Sequence, residues 1–285
     1  MSIWQAILLG LIQGLTEFIP ISSTAHLTIW GKLMGLISAE HPEQWTALIA
    51  VIQLGTLVAV VAYFWTDIIN IIRGFLISNL ALVNGKSVDQ KSKQDAWLGW
   101  LVFAGTIPIA VVGLLFRHQI EGALTKDLRI IAGSLIGLAA VLTIAEMVGH
   151  RLREMSELRL SDALAIGVGQ VFALIPGSSR SGTTITAGLF VGLTREAAAR
   201  ISFLLSIPAV AASGLLELPK ALRSSGMDWT ALGVATAVAA VSGYLSIAFL
   251  LRYLQRHSTF VFVGYRIALG LLLIGLLIAG RLGSQ

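Results

Sequence analysis

Six stretches of about twenty mainly apolar residues make up nearly half of this 285-residue chain. A helix needs about 20 such residues to cross a hydrocarbon layer of about 30 Å, so each stretch is long enough to span a bilayer. Only 12% of the residues are charged, against about a quarter in an ordinary soluble domain. We therefore predict an all-α polytopic membrane protein in which residues 1–285 form a single membrane domain. The six predicted transmembrane helices are Thr46–Trp65, Trp97–Phe116, Leu128–Val148, Glu196–Leu218, Thr230–Leu254 and Thr259–Leu282.

Two further apolar regions are broken by proline, and their halves are too short to cross a bilayer easily. Proline lacks an N–H and clashes with the preceding helical turn, while a serine after it can cap a new helix. We predict that each region is a re-entrant helical hairpin, because a broken backbone at membrane depth must be buried in protein or line a cavity. The halves are Ile3–Ile19 and Ser23–Ile37 around Pro20, and Ala163–Ile175 and Ser181–Leu193 around Pro176.

The two broken regions resemble each other. The letters IPISS at 19–23 return as IPGSS at 175–179, and three long apolar stretches follow each copy. Three spans between the hairpins place the two hairpins on opposite faces of the membrane. The sequence thus predicts an inverted-topology repeat, with copies at about 1–148 and 160–285.

Charge indicates the orientation and the class of partner. Cationic residues cluster in the segments 66–96, 149–162 and 252–258, which we interpret as cytoplasmic loops. These cations are Arg73, Lys86, Lys91, Lys93, Arg151, Arg153, Arg159, Arg252 and Arg256.

The formal net charge is +5, and no basic stripe with interleaved aromatic residues is present, so we expect no nucleic-acid partner. The absence of cysteine excludes thiolate, disulfide and iron–sulfur chemistry.

The second half of each hairpin is predicted to begin at an anion site. A helix N-terminus offers unpaired N–H groups and a partial positive charge, and two such ends entering from opposite faces would meet near the bilayer centre. Phosphate suits that arrangement, and Arg180 adds a guanidinium whose planar donors match phosphate oxygens. A buried arginine in lipid is costly and usually functional. The hydroxyls near these ends belong to Ser22, Ser23, Ser178, Ser179, Ser181, Thr183 and Thr184.

The first hairpin carries different chemistry. Gln13 and Glu17 are four residues apart and share a helical face one turn before the break. His26 follows Ser23 by three residues, so the two side chains can face the same side as a nucleophile and a base. Glu17 can hold a divalent cation or orient the histidine. A further charge inside a predicted span, Arg266, can pair with an acid such as Glu17 or reach the membrane surface.

These motifs carry a family resemblance. GLIQGLTEFIPISSTAHL at 10–27 and PGSSRSGTT at 176–184 are similar to the two signature motifs of the undecaprenyl-diphosphate phosphatases of the bacitracin-resistance type. The flanking segments VIQLGTLVAVV at 51–61 and SFLLSIPAV at 202–210 also match, and the resemblance covers essentially the whole chain.

The resemblance implies an enzyme that hydrolyses undecaprenyl diphosphate to undecaprenyl phosphate and inorganic phosphate, which recycles the lipid carrier of cell-wall synthesis. It implies Ser23 as nucleophile, His26 as proton-transfer partner and Arg180 as phosphate clamp. The family's first motif has Glu or Gln four residues before Glu, here Gln13 and Glu17, which would hold Mg²⁺ or Ca²⁺ together with substrate phosphates and water. The implied phosphate-binding hydroxyls are Ser22, Thr24, Ser179, Ser181 and Thr184, and Ser178 joins them from its place at the helix start.

The resemblance also implies a location in the bacterial cytoplasmic membrane, with a site that opens to the outer face. The expected partners are the polyprenyl diphosphate substrate and the bilayer, and a homodimer is left open. The alternative is a transporter or flippase of a polyprenyl phosphate or another anion, because inverted repeats with broken helices are also the architecture of transporters. A phosphatidic-acid-type phosphatase is disfavoured, since Arg180 is followed by no histidine until His257.

Overall fold

A computed structural model describes residues 1–38, 42–85, 87–121, 126–223 and 228–281. This part of the chain is helical and contains no β-strand, only an isolated bridge between Arg153 and Leu193. Lys86 and Leu282, which the predictions above include, lie outside the described residues. The α-helices are α1 Ile3–Phe18, α2 Ser23–Leu33, α3 Pro42–Tyr63, α4 Trp65–Val83, α5 Gln90–Leu115, α6 Arg117–Glu121, α7 Leu128–Val148, α8 Leu160–Val171, α9 Arg180–Phe190, α10 Arg195–Arg223, α11 Trp229–Leu254 and α12 Phe260–Ile278.

Six of these helices are long and apolar enough to cross a membrane, and they are the six predicted from the sequence. They are α3, α5, α7, α10, α11 and α12, with mean hydropathies from 1.8 to 2.3 over their most apolar windows. Aspartates cap three of them at the N-terminus: Asp89 before α5, Asp127 before α7 and Asp228 before α11. Their side chains accept backbone N–H groups that the first helical turn leaves unpaired.

Helix α4 corrects the prediction that 66–96 is a loop. Residues Trp65–Val83 form a helix that packs against α5. The two helices are so close at Gly74 that an added Cβ would lie 2.8 Å from the Ser92 carbonyl oxygen of α5. Polar residues at positions 67, 70, 73 and 79 interrupt its apolar sequence, so no uninterrupted stretch of about 20 residues marks it as a helix. The Asn79 side chain donates to the Phe75 carbonyl within the helix, which satisfies one of these polar groups locally.

Both predicted breaks are present in the backbone. Helix α1 ends at Phe18 and α2 begins at Ser23, while α8 passes into a 3₁₀ turn at Phe172–Leu174 before α9 begins at Arg180. The N-caps are Ser22 and Ser179, whose side chains accept from the N–H groups of Ala25 and Gly182. Both serines have positive φ, 76° and 70°, a conformation that non-glycine residues adopt rarely and that clusters at functional sites.

Glycines allow the first helix of each broken region to lie directly on a long helix. Helix α1 packs on α11, where a Cβ on Gly14 would collide with the Ser242 side chain and the Gly243 backbone. Helix α8 packs on α5, where a Cβ on Gly167 would collide with the Gly105 carbonyl. These contacts place the two breaks against the interior of the bundle.

The remaining long helices pair across the middle of the chain, α3 with α10 and α7 with α12. The largest hydrophobic cluster includes Phe18, Phe64 and Phe203, and the Phe203 ring packs edge to face against the other two. Away from the breaks, the buried carboxylate of Glu146 accepts from Arg195, from Arg151 at 2.9 Å and from the Thr259 hydroxyl at 2.7 Å. This cluster ties the end of α7 to the segments that begin α10 and α12.

Candidate active site

Glu17 is the centre of a buried hydrogen-bond network between the two breaks. Its Oε2 accepts from the hydroxyl of Ser23 at 2.7 Å and from Nε2 of Gln13 at 3.0 Å. Its Oε1 accepts from Nε2 of Gln53 at 2.8 Å and from Nη2 of Arg180 at 2.9 Å. The Glu17 side chain is only 4% exposed, so in this low-dielectric setting its charge is balanced chiefly by the guanidinium.

The helix ends explain why these side chains meet. Glu17 occupies the last turn of α1, whereas Ser23 and Arg180 are the first residues of α2 and α9. Each of the latter follows a serine N-cap and therefore lies where unpaired backbone N–H groups concentrate. The caps Ser22 and Ser179 differ by 157 positions, while the IPISS and IPGSS letters are offset by 156. Ser23 therefore occupies the same position at the start of α2 that Arg180 occupies at the start of α9. Alignment of the repeated letters would instead match Ser23 with Ser179.

The two breaks also contact each other through the backbone. The Ser181 hydroxyl donates to the Ile19 carbonyl at 3.3 Å, joining α9 to the first break. On α7, the Ser134 hydroxyl donates to the Pro176 carbonyl of the second break. The buried guanidinium of Arg266 donates to carbonyls of both breaks, among them those of Pro20 and Ser178. It therefore pairs with main-chain carbonyls in this structure, and neither of the two outcomes considered from the sequence is realised.

His26 lies beside the first break with both ring nitrogens engaged. Its Nδ1 is 2.7 Å from the Ser22 carbonyl, so this nitrogen carries the proton, and its Nε2 is 2.7 Å from the hydroxyl of Tyr265, which then donates to it. The two rings are stacked with centroids 5.6 Å apart. The Ser23 hydroxyl donates its hydrogen bond to Glu17 and not to His26, so its acceptor in this structure is a carboxylate.

The predicted phosphate-binding residues fall into two groups. Thr24, Ser179 and Arg180 line a cavity of about 230 Å³ together with Glu17 and Ser23. The other hydroxyls face the protein: Thr184 contacts the Arg180 carbonyl at 2.7 Å and the Ser202 hydroxyl at 2.6 Å. The remaining members of this second group, all at most 1% exposed, are Ser22, Ser178 and Ser181.

A larger apolar cavity of about 690 Å³ adjoins the polar one. Thr24, Gln53 and Ile109 line both cavities, so the two spaces adjoin along these residues. The larger cavity runs between α3, α5 and α10 and reaches Arg117 and Glu217 at one end. A long apolar ligand can therefore occupy the larger space while its polar head reaches Glu17, Ser23 and Arg180.

The donor set around Glu17 fits a cation only if the ligand supplies further oxygens. No group of three or more His, Cys, Asp or Glu side chains forms a metal cluster in the described ranges. Beside the Glu17 carboxylate, however, the buried Oε1 of Gln13 has no hydrogen-bond partner among the described residues. One carboxylate and one neutral oxygen are a sufficient protein contribution for Mg²⁺, which usually keeps several waters and binds substrate phosphates.

Two residues in this network were not predicted from the sequence. Gln53 donates to Glu17 from the middle of α3, and Tyr265 holds the Nε2 of His26 from α12. A signal for Gln53 was available, because an amide inside a long apolar stretch usually faces the protein interior or a cavity. Tyr265 is 44% exposed, and its contact with a residue 239 positions away had no local signal.

The fold and the site together define a polytopic membrane protein with a serine, a carboxylate and an arginine gathered where two broken helices meet, beside a cavity with a mainly apolar lining. The chain belongs to the family described as "Bacitracin resistance protein BacA", whose sequence profile matches residues 6–272.

Curated relatives are similar over nearly the whole chain. A protein of Syntrophobacter fumaroxidans named undecaprenyl-diphosphatase is 56% identical over 95% of each chain. Proteins of the same name from Chlorobaculum tepidum and Chloroherpeton thalassium are 50% and 49% identical, each over 99% of both chains.

Proposed function

We propose that this protein is an integral membrane phosphatase that hydrolyses undecaprenyl diphosphate to undecaprenyl phosphate and inorganic phosphate, and so recycles the lipid carrier of cell-wall synthesis. Family membership and the shared name of the relatives support the reaction class. The observation that carries the proposal is the hydroxyl of Ser23, 2.7 Å from Glu17, in a polar cavity that adjoins an apolar cavity of about 690 Å³.

Substrate binding follows from the two cavities. The prenyl chain lies between α3, α5 and α10, where burial of apolar surface stabilises it. The diphosphate enters the smaller cavity and faces the N-termini of α2 and α9 together with Arg180. The guanidinium keeps donors for phosphate oxygens, because Nη1 and Nη2 each carry two N–H groups and each donates to only one described residue, Ser202 and Glu17 respectively.

The chemical step is assigned to Ser23 and Glu17. Ser23 Oγ attacks the terminal phosphorus, its proton passes to Glu17, and the bond between that phosphorus and the bridging oxygen breaks. Undecaprenyl phosphate leaves, and water then releases phosphate from the phosphoserine. Phosphoryl transfer depends chiefly on positioning and charge stabilisation, which Arg180 and the two helix ends supply.

His26 is proposed as a second proton-transfer group, for the leaving group or for the water. In the described arrangement its Nε2 accepts from Tyr265, so proton exchange with the substrate requires that this contact opens. His26 also donates from Nδ1 to the Ser22 carbonyl at 2.7 Å, which keeps the tautomer fixed while Nε2 is free.

A divalent cation, Mg²⁺ or Ca²⁺, is proposed as cofactor. Glu17 and Oε1 of Gln13 would hold it, with substrate phosphates and water as the other ligands. When bound, such a cation offsets the negative charge of the diphosphate.

The architecture is proposed to be one membrane domain with an inverted repeat, in which α1–α2 and α8–α9 are re-entrant hairpins. Helix contacts support this. The first helix of each copy packs on the middle long helix of the other copy, α1 on α11 and α8 on α5. The other long helices pack on their own counterparts in the other copy, α3 on α10 and α7 on α12. The positive-φ serine caps at Ser22 and Ser179 support it as well. Helix α4 is then an addition in the first copy.

We place the protein in the bacterial cytoplasmic membrane with the cavity open to the outer face. The apolar cavity reaches Arg117 and Glu217, whose segments lie opposite the cation-rich segments 149–162 and 252–258, which we assign to the cytoplasm. A homodimer stays a prediction. The catalytic proposal does not require one, because every side chain it uses comes from a single chain.

The test separates a phosphatase from a transporter. Purified protein in liposomes is supplied with a polyprenyl diphosphate and Mg²⁺, and phosphate release and movement of polyprenyl phosphate between leaflets are followed in parallel. We expect phosphate release that Arg180→Ala abolishes while the variant keeps its fold. Leaflet exchange without phosphate release would establish the transporter instead.

A further inference from the structure

Arg266 is a buried guanidinium that the catalytic proposal above does not use. It lies on α12, is 1% exposed and is the largest fully buried side chain among the described residues. No described carboxylate forms an ion pair with it, and all its hydrogen bonds to described residues go to main-chain carbonyls. A buried charge is costly unless hydrogen bonds compensate it, so this set of carbonyls is the reason that the side chain is tolerated.

The carbonyls that surround Arg266 come from three segments. From the first break, the Pro20 carbonyl accepts from Nη1 at 3.3 Å. From the second break, those of Ser178 and Gly177 accept from Nη1 at 2.9 Å and from Nη2 at 3.3 Å. From α7, those of Leu135 and Ser134 accept at 3.2 and 3.4 Å. One planar group therefore connects both breaks to the same wall of the bundle.

The connected carbonyls lie next to the proposed reacting groups. Pro20 precedes Ser23 by three residues, and Ser178 precedes Arg180 by two. Helix breaks leave carbonyls without intrahelical partners, and such groups must be satisfied inside the protein at membrane depth. Arg266 satisfies them with fixed geometry, so it also sets the position of Ser23 relative to Arg180.

The packing leaves a space for this guanidinium. A Cβ added to Gly182, in the first turn of α9, would lie 2.9 Å from Nη1 of Arg266. The absence of a side chain at Gly182 therefore lets the guanidinium sit directly beneath the second helix start. This is a second observation, independent of the hydrogen bonds, that the α9 N-terminus and Arg266 fit together.

We propose that Arg266 is a positioning residue for the phosphatase reaction: it clamps the two broken loops so that Ser23 and Arg180 address the same phosphate, and it places a fixed positive charge behind the diphosphate site. Arg266 does not line the described polar cavity, so it acts through the loops and not by contact with substrate. The expected effect of Arg266 on the reaction rate rests on the proposed function. Its expected effect on the two loops rests on the loop contacts alone.

The kinetic test compares Arg266→Lys, Arg266→Met and Gly182→Ala with wild type. A misplacement of about 1 Å can cost on the order of 100-fold in rate. We therefore expect kcat to fall about 100-fold in Arg266→Met while KM for the lipid substrate changes less than about threefold, because the prenyl cavity is intact. Arg266→Lys keeps the positive charge but loses the planar set of guanidinium donors, so we expect its kcat to stay well below that of wild type. Gly182→Ala keeps the arginine, displaces it and lowers kcat in the same direction.

Arg195→Met is the matched control, since Arg195 braces Glu146 and has no part in the proposed site. We expect a lower thermal stability for this variant and an unchanged kcat per folded molecule. If the Arg266 variants lose activity only in proportion to folded protein, as this control does, or if Arg266→Lys and Arg266→Met keep wild-type kcat, the positioning role is wrong.

A measurement without activity separates this inference from the proposed function. Amide hydrogen exchange of residues 21–25 and 177–182 should accelerate at least about tenfold in Arg266→Met and not in Arg195→Met. If wild-type protein hydrolyses no polyprenyl diphosphate but this acceleration occurs, the phosphatase proposal fails and the clamp stands. Unchanged exchange in Arg266→Met would overturn the clamp whatever the activity.

Discussion

Arg180 and Glu17 form an ion pair between the two broken helices, with Nη2 and Oε1 2.9 Å apart although 163 positions separate the residues. The side chains are 11% and 4% exposed. The other oxygen of the same carboxylate accepts a hydrogen bond from the Ser23 hydroxyl. The pair therefore couples the predicted nucleophile on one break to the predicted phosphate ligand on the other.

A double-mutant cycle on this pair should reveal strong coupling. Glu17→Gln or Arg180→Met alone leaves a buried charge without its partner, which costs about 3–5 kcal/mol in known buried pairs. The double variant should lose clearly less stability than the sum of the two. Reversible denaturant unfolding in micelles measures the three values. Additivity within about 0.5 kcal/mol would mean that the two groups do not interact.

The Gln53 side chain is expected to stabilise the charged carboxylate of Glu17 by its hydrogen bond. Gln53→Leu removes the donor 2.8 Å from Oε1 of Glu17, and loss of a hydrogen bond to a charged group is worth about 1.5–3 kcal/mol. We expect kcat/KM for polyprenyl diphosphate to fall about 10- to 100-fold. Gln44→Leu, at the exposed start of the same helix, is the control and should match wild type. Equal activity of the two variants would remove Gln53 from the site.

His26 and Tyr265 should respond differently to substitution. His26→Gln can still donate to the Ser22 carbonyl but cannot transfer protons, and kcat should fall about 100-fold or more. Tyr265→Phe frees Nε2 of His26, and kcat should stay the same or rise. Tyr253→Phe, which stacks on His257 away from the site, controls for loss of a tyrosine hydroxyl. Full activity of His26→Gln in steady-state assays would show that this histidine carries no proton in the reaction.

The apolar cavity should select for long prenyl chains. Ala110→Phe fills space among residues that line the larger cavity and not the smaller one. KM for a long polyprenyl diphosphate should rise about tenfold or more, while KM for a short soluble diphosphate should not change. Ala140→Phe, on an exposed position of α7, adds the same volume elsewhere. If both substrates or neither respond to Ala110→Phe, the prenyl chain does not lie there.

Much of the fold followed from local patterns. Apolar stretches of sufficient length predicted the six long helices, and the two Pro–Ser motifs predicted both breaks and their serine starts. Helix α4 was missed because polar residues such as Asp67 and Arg73 divide its apolar sequence. The ion pair of Asp67 with Arg200 of α10, at 2.8 Å, compensates one of these charges and depends on tertiary contacts.

The site was less predictable than the fold. Spacing on one helix placed Gln13 beside Glu17, and the structure has that contact. The same logic paired Ser23 with His26, but the chain reverses at Pro20 and returns Ser23 to Glu17 instead. Contacts made across the bundle, such as those of Gln53, required the packing of α1 on α3 to be known.

The most direct test of the central claim is phosphate release by Ser23→Ala. Wild type, Ser23→Ala and the control Ser242→Ala, whose hydroxyl bonds to the Val238 carbonyl outside both cavities, are purified, checked for equal folding and supplied with polyprenyl diphosphate and Mg²⁺. Nucleophilic attack by Ser23 predicts wild-type release by Ser242→Ala, a loss of at least about 1000-fold in Ser23→Ala, and an acid-stable phosphoserine in quenched wild-type protein only at Ser23. Phosphate release by folded Ser23→Ala at the wild-type rate would contradict it.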